Sequence, residues 1–216
     1  MRSENLRLIL ASASPRRREL LRAAGFDFEV RPSGIEEKRR AGESGEEFAL
    51  RAAREKALQV AASAPPESLV LGADTVVIVD GEVLGKPAGP DDAARMLRLL
   101  SGVTHRVVTG VCLVRAPDRI EALRSSVTLV TFRRLDEQEI SEYVSSGEPL
   151  DKAGAYGIQG LASKFVTRIE GCYFNVVGLP VALVYELLKG SCRQSVVGSA
   201  QSIKTGSRTP TTGTTK

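Results

Sequence analysis

The stretch Leu69-Val-Leu-Gly-Ala-Asp-Thr-Val-Val-Ile-Val79 decides the fold, because it is an apolar, β-branched run with a single carboxylate near its centre. A run of this kind is typical of a strand in the core of a sheet. The less apolar segment Gly72-Ala-Asp-Thr75 interrupts the apolar composition of this run. The dipeptide Asp80-Gly81 then predicts a hairpin turn, after which residues 82–84 return.

Asp74 is the unusual residue of this strand. A buried carboxylate is costly unless a cation or a metal compensates it. The acid is therefore either a functional group or one half of a structural ion pair, and Lys56 and Lys86 are its possible partners. Lys86 lies in Gly85-Lys-Pro87, at a fixed loop position after the hairpin.

The chain up to about residue 189 alternates helical and strand-like patterns, which we assign to one domain, 1–189. Ser14 before Pro15 predicts a helix start, and Ser44 with Glu47 predicts another through a capping box. The predicted helices cover residues 16–24, 44–63, 91–100, 136–145 and 180–188, and the further strands cover 6–10, 26–31, 103–114, 125–132, 165–169 and 175–177. Residues 190–216 are rich in Ser, Thr and Gly, and we expect them to be a disordered basic tail.

Composition narrows the class of protein. The chain has 216 residues, 42% apolar and 26% charged, as in ordinary soluble domains. Of its net charge of +4, five basic residues and no acid lie in 189–216, which leaves 25 basic against 26 acidic side chains elsewhere. We therefore expect no specific nucleic-acid partner, with a polyanion-binding tail as the alternative.

Three widely spaced cysteines and a single histidine leave no Cys/His set for zinc. The N-terminus has no signal-peptide pattern, and no apolar stretch is long enough to cross a bilayer. We expect a cytoplasmic protein with reduced thiols and no membrane partner. A conventional P-loop nucleotidase is excluded because its Gly-x-x-x-x-Gly-Lys-Ser/Thr signature is missing.

The loop from Ser12 to Arg17 is a candidate phosphate site. A helix N-terminus presents unpaired backbone N–H groups and a partial positive charge, which attract phosphate. The hydroxyl groups of Ser12 and Ser14 and the guanidinium groups of Arg16 and Arg17 supply further donors. Taken alone, the string also fits a capped surface helix with solvated arginines.

The segment Gly147-Glu-Pro-Leu-Asp-Lys-Ala-Gly-Ala-Tyr-Gly-Ile-Gln-Gly160 is a shaped loop rather than a helix, because it holds several glycines and a proline. It is either a ligand-binding loop lined by Asp151, Lys152, Tyr156 and Gln159, or a long structural turn. Gln159 both donates and accepts, which suits the edge of a nucleotide base. We assign His105 a structural or rim position, since no Ser/His/Asp triad surrounds it.

Taken in order, these motifs resemble those of the Maf family. The resemblance covers about residues 6–188, and no core motif departs from the family pattern. Its strings are Leu10-Ala-Ser-Ala-Ser-Pro-Arg-Arg-Arg-Glu-Leu-Leu21, Ala53-Arg-Glu-Lys-Ala57, Gly72-Ala-Asp-Thr-Val76, Gly85-Lys-Pro87, Leu100-Ser-Gly102 with His105, the 147–160 loop, and Asn175-Val-Val-Gly-Leu-Pro180.

The resemblance implies an α/β fold, a mixed twisted sheet with flanking helices and two lobes around a central cleft, in a protein that is often a homodimer. It implies hydrolysis of a nucleoside triphosphate to the monophosphate and pyrophosphate with a divalent metal, Mg²⁺ or alternatively Mn²⁺. The dTTP and UTP subgroup is matched at Arg16, Thr75 and Gln159, with modified pyrimidine triphosphates as further substrates. Family functional positions map onto Ser12, Arg16, Arg17, Glu37, Lys56, Asp74, Lys86 and Gln159, although Glu36 adjoins Glu37 in a variable loop.

On this basis we expect Arg16, Arg17, Lys56 and Lys86 to hold the triphosphate with the helix N-terminus. Glu37 and Asp74 then bind the metal, and Asp74 also positions and deprotonates the attacking water, directly or with the help of the metal. Thr75 and Gln159 read the pyrimidine. The alternatives are a 7-methylguanosine triphosphate pyrophosphatase and a non-catalytic nucleotide-binding regulator of septum formation, a process to which the family is linked.

Overall fold

The computed structural model describes residues 7–201, with side chains described as far as Ser191. The strands are β1 (Leu8–Leu10), β2 (Glu29–Val30), β3 (Leu69–Val79), β4 (Glu82–Leu84), β5 (Thr104–Arg115), β6 (Arg119–Phe132) and β7 (Val166–Glu170). The helices are α1 (Pro15–Ala23), α2 (Gly45–Ala61), α3 (Pro90–Leu100), α4 (Glu137–Ser145), α5 (Tyr173–Val177) and α6 (Val181–Gln201), with three 3-10 helices at Glu148–Asp151, Ala153–Ala155 and Leu161–Phe165.

The seven strands form one mixed sheet in the order β2-β1-β3-β5-β6-β7, and β4 also pairs with β3. β1 runs parallel to β2 and β3, and the remaining pairs are antiparallel. Helix α2 packs on one face of the sheet, and α1 and α3 contribute to the apolar core on the other. The predicted class, a mixed sheet with flanking helices, is therefore confirmed.

One edge of β3 is paired at both ends and open in the middle. Residues 69–71 pair with β1 and residues 77–79 pair with β4, whereas residues 72–76 pair only with β5 on the opposite edge. We call this opening the sheet gap. β3 is continuous from Leu69 to Val79, as the apolar run predicts, and it is the neighbouring strand β1 that stops.

Helix α2 lies unusually close to the sheet because two glycines face it. A Cβ added to Gly72 would lie 2.1 Å from the carbonyl oxygen of Ala53, and one added to Gly110 would lie 2.3 Å from that of Ala49. Ala49, Ala53 and Lys56 follow one another at helical spacing, so they lie on the same side of α2. This contact brings Lys56 down onto β3 beside Asp74.

Two sequence predictions about the C-terminal part need correction. Residues 175–177, predicted as a strand, belong to helix α5, whose last turn is closed by the N–H of Gly178 on the carbonyl of Phe174. A three-residue apolar run has no periodicity that separates strand from helix, so packing decides. Helix α6 continues past residue 188 to Gln201, so the predicted boundary at 189 falls inside it. The remaining predicted tail, 202–216, lies outside the described residues.

The smaller boundary differences do not move the site. The capping box of Ser44 and Glu47 and the hairpin at Asp80-Gly81 are formed as predicted. β6 begins at Arg119, six residues before the predicted start at 125. Within residues 7–201, no helix is long and apolar enough to cross a membrane. The thiols of Cys112 and Cys172 are free, and the side chain of Cys192 lies outside the described set.

Candidate active site

The helix N-terminus expected to hold phosphate is formed at the sheet gap. The Ser14 side chain caps α1 by accepting a hydrogen bond from the N–H of Arg17 at 3.5 Å, and Pro15 opens the helix. Ser12 is buried, and its Oγ accepts from Arg17 Nη1 at 3.1 Å and from the N–H of Ser14 at 3.3 Å. Each serine thus accepts inside the loop and keeps its own hydroxyl hydrogen for donation.

Arg17 is the centre of this part of the site. Its Nε donates to the Gly178 carbonyl at 2.8 Å, its Nη1 also donates to the Ala73 carbonyl at 2.9 Å, and its Nη2 donates to Thr75 Oγ1 at 3.0 Å. Four of the five guanidinium N–H groups are thereby engaged, counting the bond to Ser12. Arg17 therefore joins the loop after β1, β3 and the end of α5, and among the described residues one of its N–H groups has no acceptor.

Thr75 belongs to the same polar network. Its Oγ1 lies 2.9 Å from Thr109 Oγ1 and 3.3 Å from the carbonyl oxygen of Gly178. Thr109, the residue opposite Thr75 on β5, also donates to the Asn175 carbonyl at 3.4 Å. The hydroxyl of Thr75, expected to read the base, is thus held by protein groups at the edge of the gap.

Asp74 points to the face of β3 that α2 covers, where it meets a lysine and a second acid. Lys56 Nζ lies 2.7 Å from Asp74 Oδ1 and 2.6 Å from Glu37 Oε1. The side chains of Lys56 and Asp74 are almost fully buried, whereas that of Glu37 is 42% exposed. Glu36 instead pairs with Lys38 at the surface, so the structure brings Glu37 into the cluster. Lys56, rather than Lys86, is the partner of Asp74.

The environment of Asp74 changes its acidity. Burial raises its pKa to about 6, and the neighbouring Glu37 adds to the rise while Lys56 and Arg17 oppose it. The pKa of Glu37 is lowered, because its interactions with Asp74, Lys56 and Arg17 outweigh the effect of its partial burial. A carboxylate with a pKa near 6 is suited to accepting a proton close to neutral pH.

The remaining predicted residues lie around the rim. Arg16 Nη1 reaches Asp151 Oδ2 at 3.3 Å, which links α1 to the 147–160 loop across the cleft. Lys86 and Gln159 are exposed, and within residues 7–201 neither makes a hydrogen bond or ion pair with a protein group. The structure therefore brings Ser12, Arg17, Lys56, Asp74, Thr75 and Glu37 together and leaves Arg16, Lys86 and Gln159 at the opening.

The acid pair fits a hard divalent cation. Mg²⁺ in nucleotide sites is usually held by one or two carboxylates together with substrate phosphates, and retains several waters. Glu37 and Asp74 supply two carboxylates that share one lysine. Among the described residues 7–201 no group of three His, Cys, Asp or Glu side chains forms a self-contained metal site. A cation held jointly by the protein and a phosphorylated ligand is what this donor set suits.

Sequence reasoning gave no role to Thr109, to the Asn175–Gly178 carbonyls, or to the side chains that support the 147–160 loop. The carbonyls are backbone groups, which no residue pattern identifies. Tyr143 and Glu148 support the loop through hydrogen bonds between segments apart in the chain. The only available signal was that Asn175-Val-Val-Gly-Leu-Pro180 and Glu148 lie inside strings that carry the family resemblance.

A mixed sheet with an acid–lysine cluster and a capped helix N-terminus at one opening defines a class of α/β enzyme that acts on phosphorylated small molecules. Residues 7–191 match the family model described as Maf-like protein. The chain belongs to that family.

Curated relatives agree with this assignment. A dTTP/UTP pyrophosphatase of Koribacter versatilis is 54% identical over 182 residues, covering 84% of this chain and 93% of that protein. One of Salmonella typhimurium is 56% identical over 181 residues, covering 84% and 91%. Among solved structures, a HAM1 protein from Coxiella burnetii is similar with a TM-score of 0.41 at 17% identity, covering 69% of this chain and 86% of that one.

Proposed function

We propose that this chain hydrolyses dTTP and UTP to the monophosphate and pyrophosphate, with modified pyrimidine triphosphates as further substrates and clearance of non-canonical nucleotides as its purpose. The observation that carries the proposal is the buried Lys56–Asp74 pair, with Glu37, beside the N-terminus of α1. The names of the curated relatives support the choice of nucleotide. The proposed reaction is that of a nucleoside triphosphate diphosphatase.

The phosphates are held by groups that converge on the gap. The N–H groups of the first turn of α1, the remaining N–H of Arg17 and the ammonium of Lys56 place positive charge where negative charge develops on the phosphate oxygens in the transition state. Arg16 and Lys86, at the opening, hold the outer phosphates. This arrangement neutralises a triphosphate while leaving one side of the α-phosphorus open to water.

Asp74 acts as the general base. It positions a water against the α-phosphorus and accepts its proton as the new P–O bond forms. The bond between the α-phosphorus and the oxygen that bridges to the β-phosphate breaks, and pyrophosphate leaves with that electron pair. Glu37 and Asp74 are the residues that would hold Mg²⁺, or alternatively Mn²⁺, and the bound ion would supply charge neutralisation for the phosphates.

The base is read at the mouth of the cleft. Gln159 donates and accepts at the same time, which matches the adjacent carbonyl and N–H groups of thymine and uracil. Thr75, whose hydroxyl accepts a hydrogen bond from Arg17, is the second residue that reads the base. Replacing Gln159 with Ala is expected to reduce discrimination between nucleotides more than it reduces the rate, and equal losses across all nucleotides would contradict base reading.

Two further parts of the proposal concern assembly and location. We place the reaction in the cytoplasm, where the free thiols of Cys112 and Cys172 stay reduced. We also propose a homodimer, supported by the aromatic pair Tyr173 and Phe174 on helix α5, whose exposed rings lie 5.7 Å apart. Light scattering at several concentrations tests the dimer, and a constant monomer mass would refute it.

The decisive experiment is a panel of nucleoside triphosphates assayed for pyrophosphate release with Mg²⁺. Hydrolysis of dTTP and UTP well above that of the purine nucleotides is expected, and 7-methylguanosine triphosphate as the preferred substrate would refute the assignment. Absence of release from every nucleotide, with dTTP still bound, would indicate a regulator instead of an enzyme.

Asp74→Asn tests the role of the acid. The variant should lose turnover by roughly 100-fold or more while it still binds dTTP, because the amide cannot accept the proton. Asp118→Asn is the matched control, since Asp118 is exposed in the turn between β5 and β6. A normal rate in Asp74→Asn would show that another group is the base.

A further inference from the structure

Gln159 lies in a glycine-flanked turn that buries Ile158 and is closed by one internal hydrogen bond, from the N–H of Gly160 to the Gly157 carbonyl at 3.0 Å. The turn comprises residues 157–161, with Gly157 and Gly160 on either side of Ile158 and Gln159. The Gln159 side chain is exposed and makes no contact within residues 7–201 that would fix it. Glycine restricts the backbone less than any other residue. A side chain that reads a base from such a turn therefore needs its position set by other residues.

Two side chains outside the turn hold both of its ends. The Tyr143 hydroxyl accepts a hydrogen bond from the N–H of Gly157 at 3.2 Å and donates to Glu148 Oε1 at 2.9 Å. The other carboxylate oxygen, Glu148 Oε2, accepts from the N–H of Leu161 at 3.0 Å. Tyr143 and Glu148 thus form a continuous chain of hydrogen bonds from the first to the last residue of the turn. We call this pair the turn clamp.

The clamp is closely fitted to the turn. A Cβ added to Gly160 would lie 2.3 Å from Glu148 Oε1, and one added to Gly157 would lie 2.6 Å from the Cε atom of Lys152. Lys152 in turn donates to the Glu148 carbonyl at 2.6 Å. The two glycines are therefore required for the carboxylate and the lysine to approach the backbone this closely.

The clamp is itself rigidly held. The Tyr143 side chain is almost fully buried, and its ring meets that of Phe165 edge-on at 5.3 Å. Its position in helix α4 is set by the apolar core. The clamp therefore transfers the rigidity of the core to a turn at the surface.

We propose that Tyr143 and Glu148 are positioning residues that set base discrimination by fixing the turn that carries Gln159. The inference rests on the proposed reading of pyrimidine bases by this site. Neither residue contacts the base. A purely structural role would lower stability and all nucleotide rates together, whereas a positioning role acts on the preference among nucleotides and acts only through Gln159.

The test is a double-mutant cycle on the ratio of kcat/KM for dTTP to that for dCTP. Tyr143→Phe removes the hydroxyl and should lower this ratio by roughly 3- to 10-fold, the range expected for hydrogen bonds of ordinary strength. In the Gln159→Ala background the same substitution should leave the ratio unchanged. Hydrogen exchange of the 157–161 amides should accelerate in Tyr143→Phe. Tyr185→Phe, which removes an exposed hydroxyl elsewhere, is the matched control.

Glu148→Gln provides a second variant if Tyr143→Phe does not fold, and the same fall in the ratio is expected. An unchanged ratio in a folded Tyr143→Phe or Glu148→Gln variant would overturn the proposal, as would an equal fall in the Gln159→Ala background. If Gln159→Ala alone leaves the ratio unchanged, base reading by Gln159 fails and the clamp role fails with it. Pyrophosphate release from dTTP by the unmodified chain tests the proposed reaction separately from these outcomes.

Discussion

Gly72→Ala is the change that most directly tests how the site is built. Gly72 precedes Asp74 by two residues on the same face of β3, and α2 rests against it. Its backbone is not in the left-handed region, so alanine is conformationally allowed and the effect of the added methyl is purely steric. The substitution therefore separates the helix from the strand without altering any polar group.

The size of the effect follows from the distances. The new Cβ would lie 2.1 Å from the Ala53 carbonyl oxygen and 2.9 Å from the N and Cβ atoms of Ala57. Real Cβ contacts are not shorter than 3.0 Å, so α2 must retreat by about 0.9 Å, and most of the obstruction is backbone that no rotamer change relieves. A rigid retreat lengthens the 2.7 Å contact between Lys56 Nζ and Asp74 Oδ1 to about 3.6 Å, beyond hydrogen-bond range.

We expect two measurable consequences. Overpacking should lower the free energy of unfolding by about 1–3 kcal/mol. Displacement of the lysine by nearly 1 Å should lower kcat for dTTP by roughly 10- to 100-fold. Urea denaturation and pyrophosphate release measure the two effects on the same preparation.

Gly190→Ala is the matched control, because Gly190 lies in helix α6 and, apart from its chain neighbours and the helix's own backbone, no described atom lies within 4 Å of the position of the new methyl group. That variant should keep full activity and gain about 0.5–1 kcal/mol of stability from its higher helix propensity. A Gly72→Ala variant with unchanged stability and unchanged kcat would refute the reasoning, because α2 would then not depend on the glycine for its approach to Asp74.

Three further predictions test individual groups. Lys56→Met should lower dTTP hydrolysis, measured as pyrophosphate release, by roughly 100-fold. The variant should lose less stability than the ~3–5 kcal/mol expected when a buried ion pair is broken, because Asp74 can take up a proton. Retained activity would contradict the role of the lysine. Burial lowers the pKa of His105 from 6.5 to about 4. As the pH falls from 7 to 5, the unfolded chain therefore takes up a proton that the folded chain does not, and the free energy of unfolding falls by about 2 kcal/mol. His105→Phe should remove that part of the slope in denaturation curves, and an identical slope in both proteins would refute it. Asp151→Asn should change the free energy of unfolding by less than about 0.5 kcal/mol, because the ion pair of Asp151 with Arg16 is exposed. A larger loss would show that this ion pair contributes to stability.

The sequence predicted most elements of the fold because local signals and packing agree. Ser14 with Pro15, and Ser44 with Glu47, start their helices as expected. Disagreement occurs where the local signal is short or ambiguous. Val176 and Val177 are β-branched, but residues 175–177 fold as the end of α5, because the side chain of Asn175 is buried and donates to the Val107 carbonyl at 3.0 Å. Packing overrides strand propensity there.

The candidate site was predictable in its residue types but not in its connections. An acid in an apolar strand predicts a buried cation partner, and the structure selects Lys56 over Lys86 because two glycines admit α2 to the strand. The engagement of Arg17 by protein oxygens was not predictable, since three of its four acceptors belong to residues more than 50 positions away. Proximity of this kind depends on strand order, which no local pattern encodes.

The sheet gap explains why these groups occur together. Where β1 has ended and β4 has not begun, the Ala73 carbonyl has no strand partner on that edge of β3. A buried carbonyl needs a donor, and Arg17 at 2.9 Å and Lys56 at 3.5 Å provide it. The same two cations also offset the cost of burying Asp74, which is the next residue of β3. One interruption in strand pairing thus leaves an open stretch of strand edge, brings positive charge to it and stabilises an acid of raised pKa beside that charge.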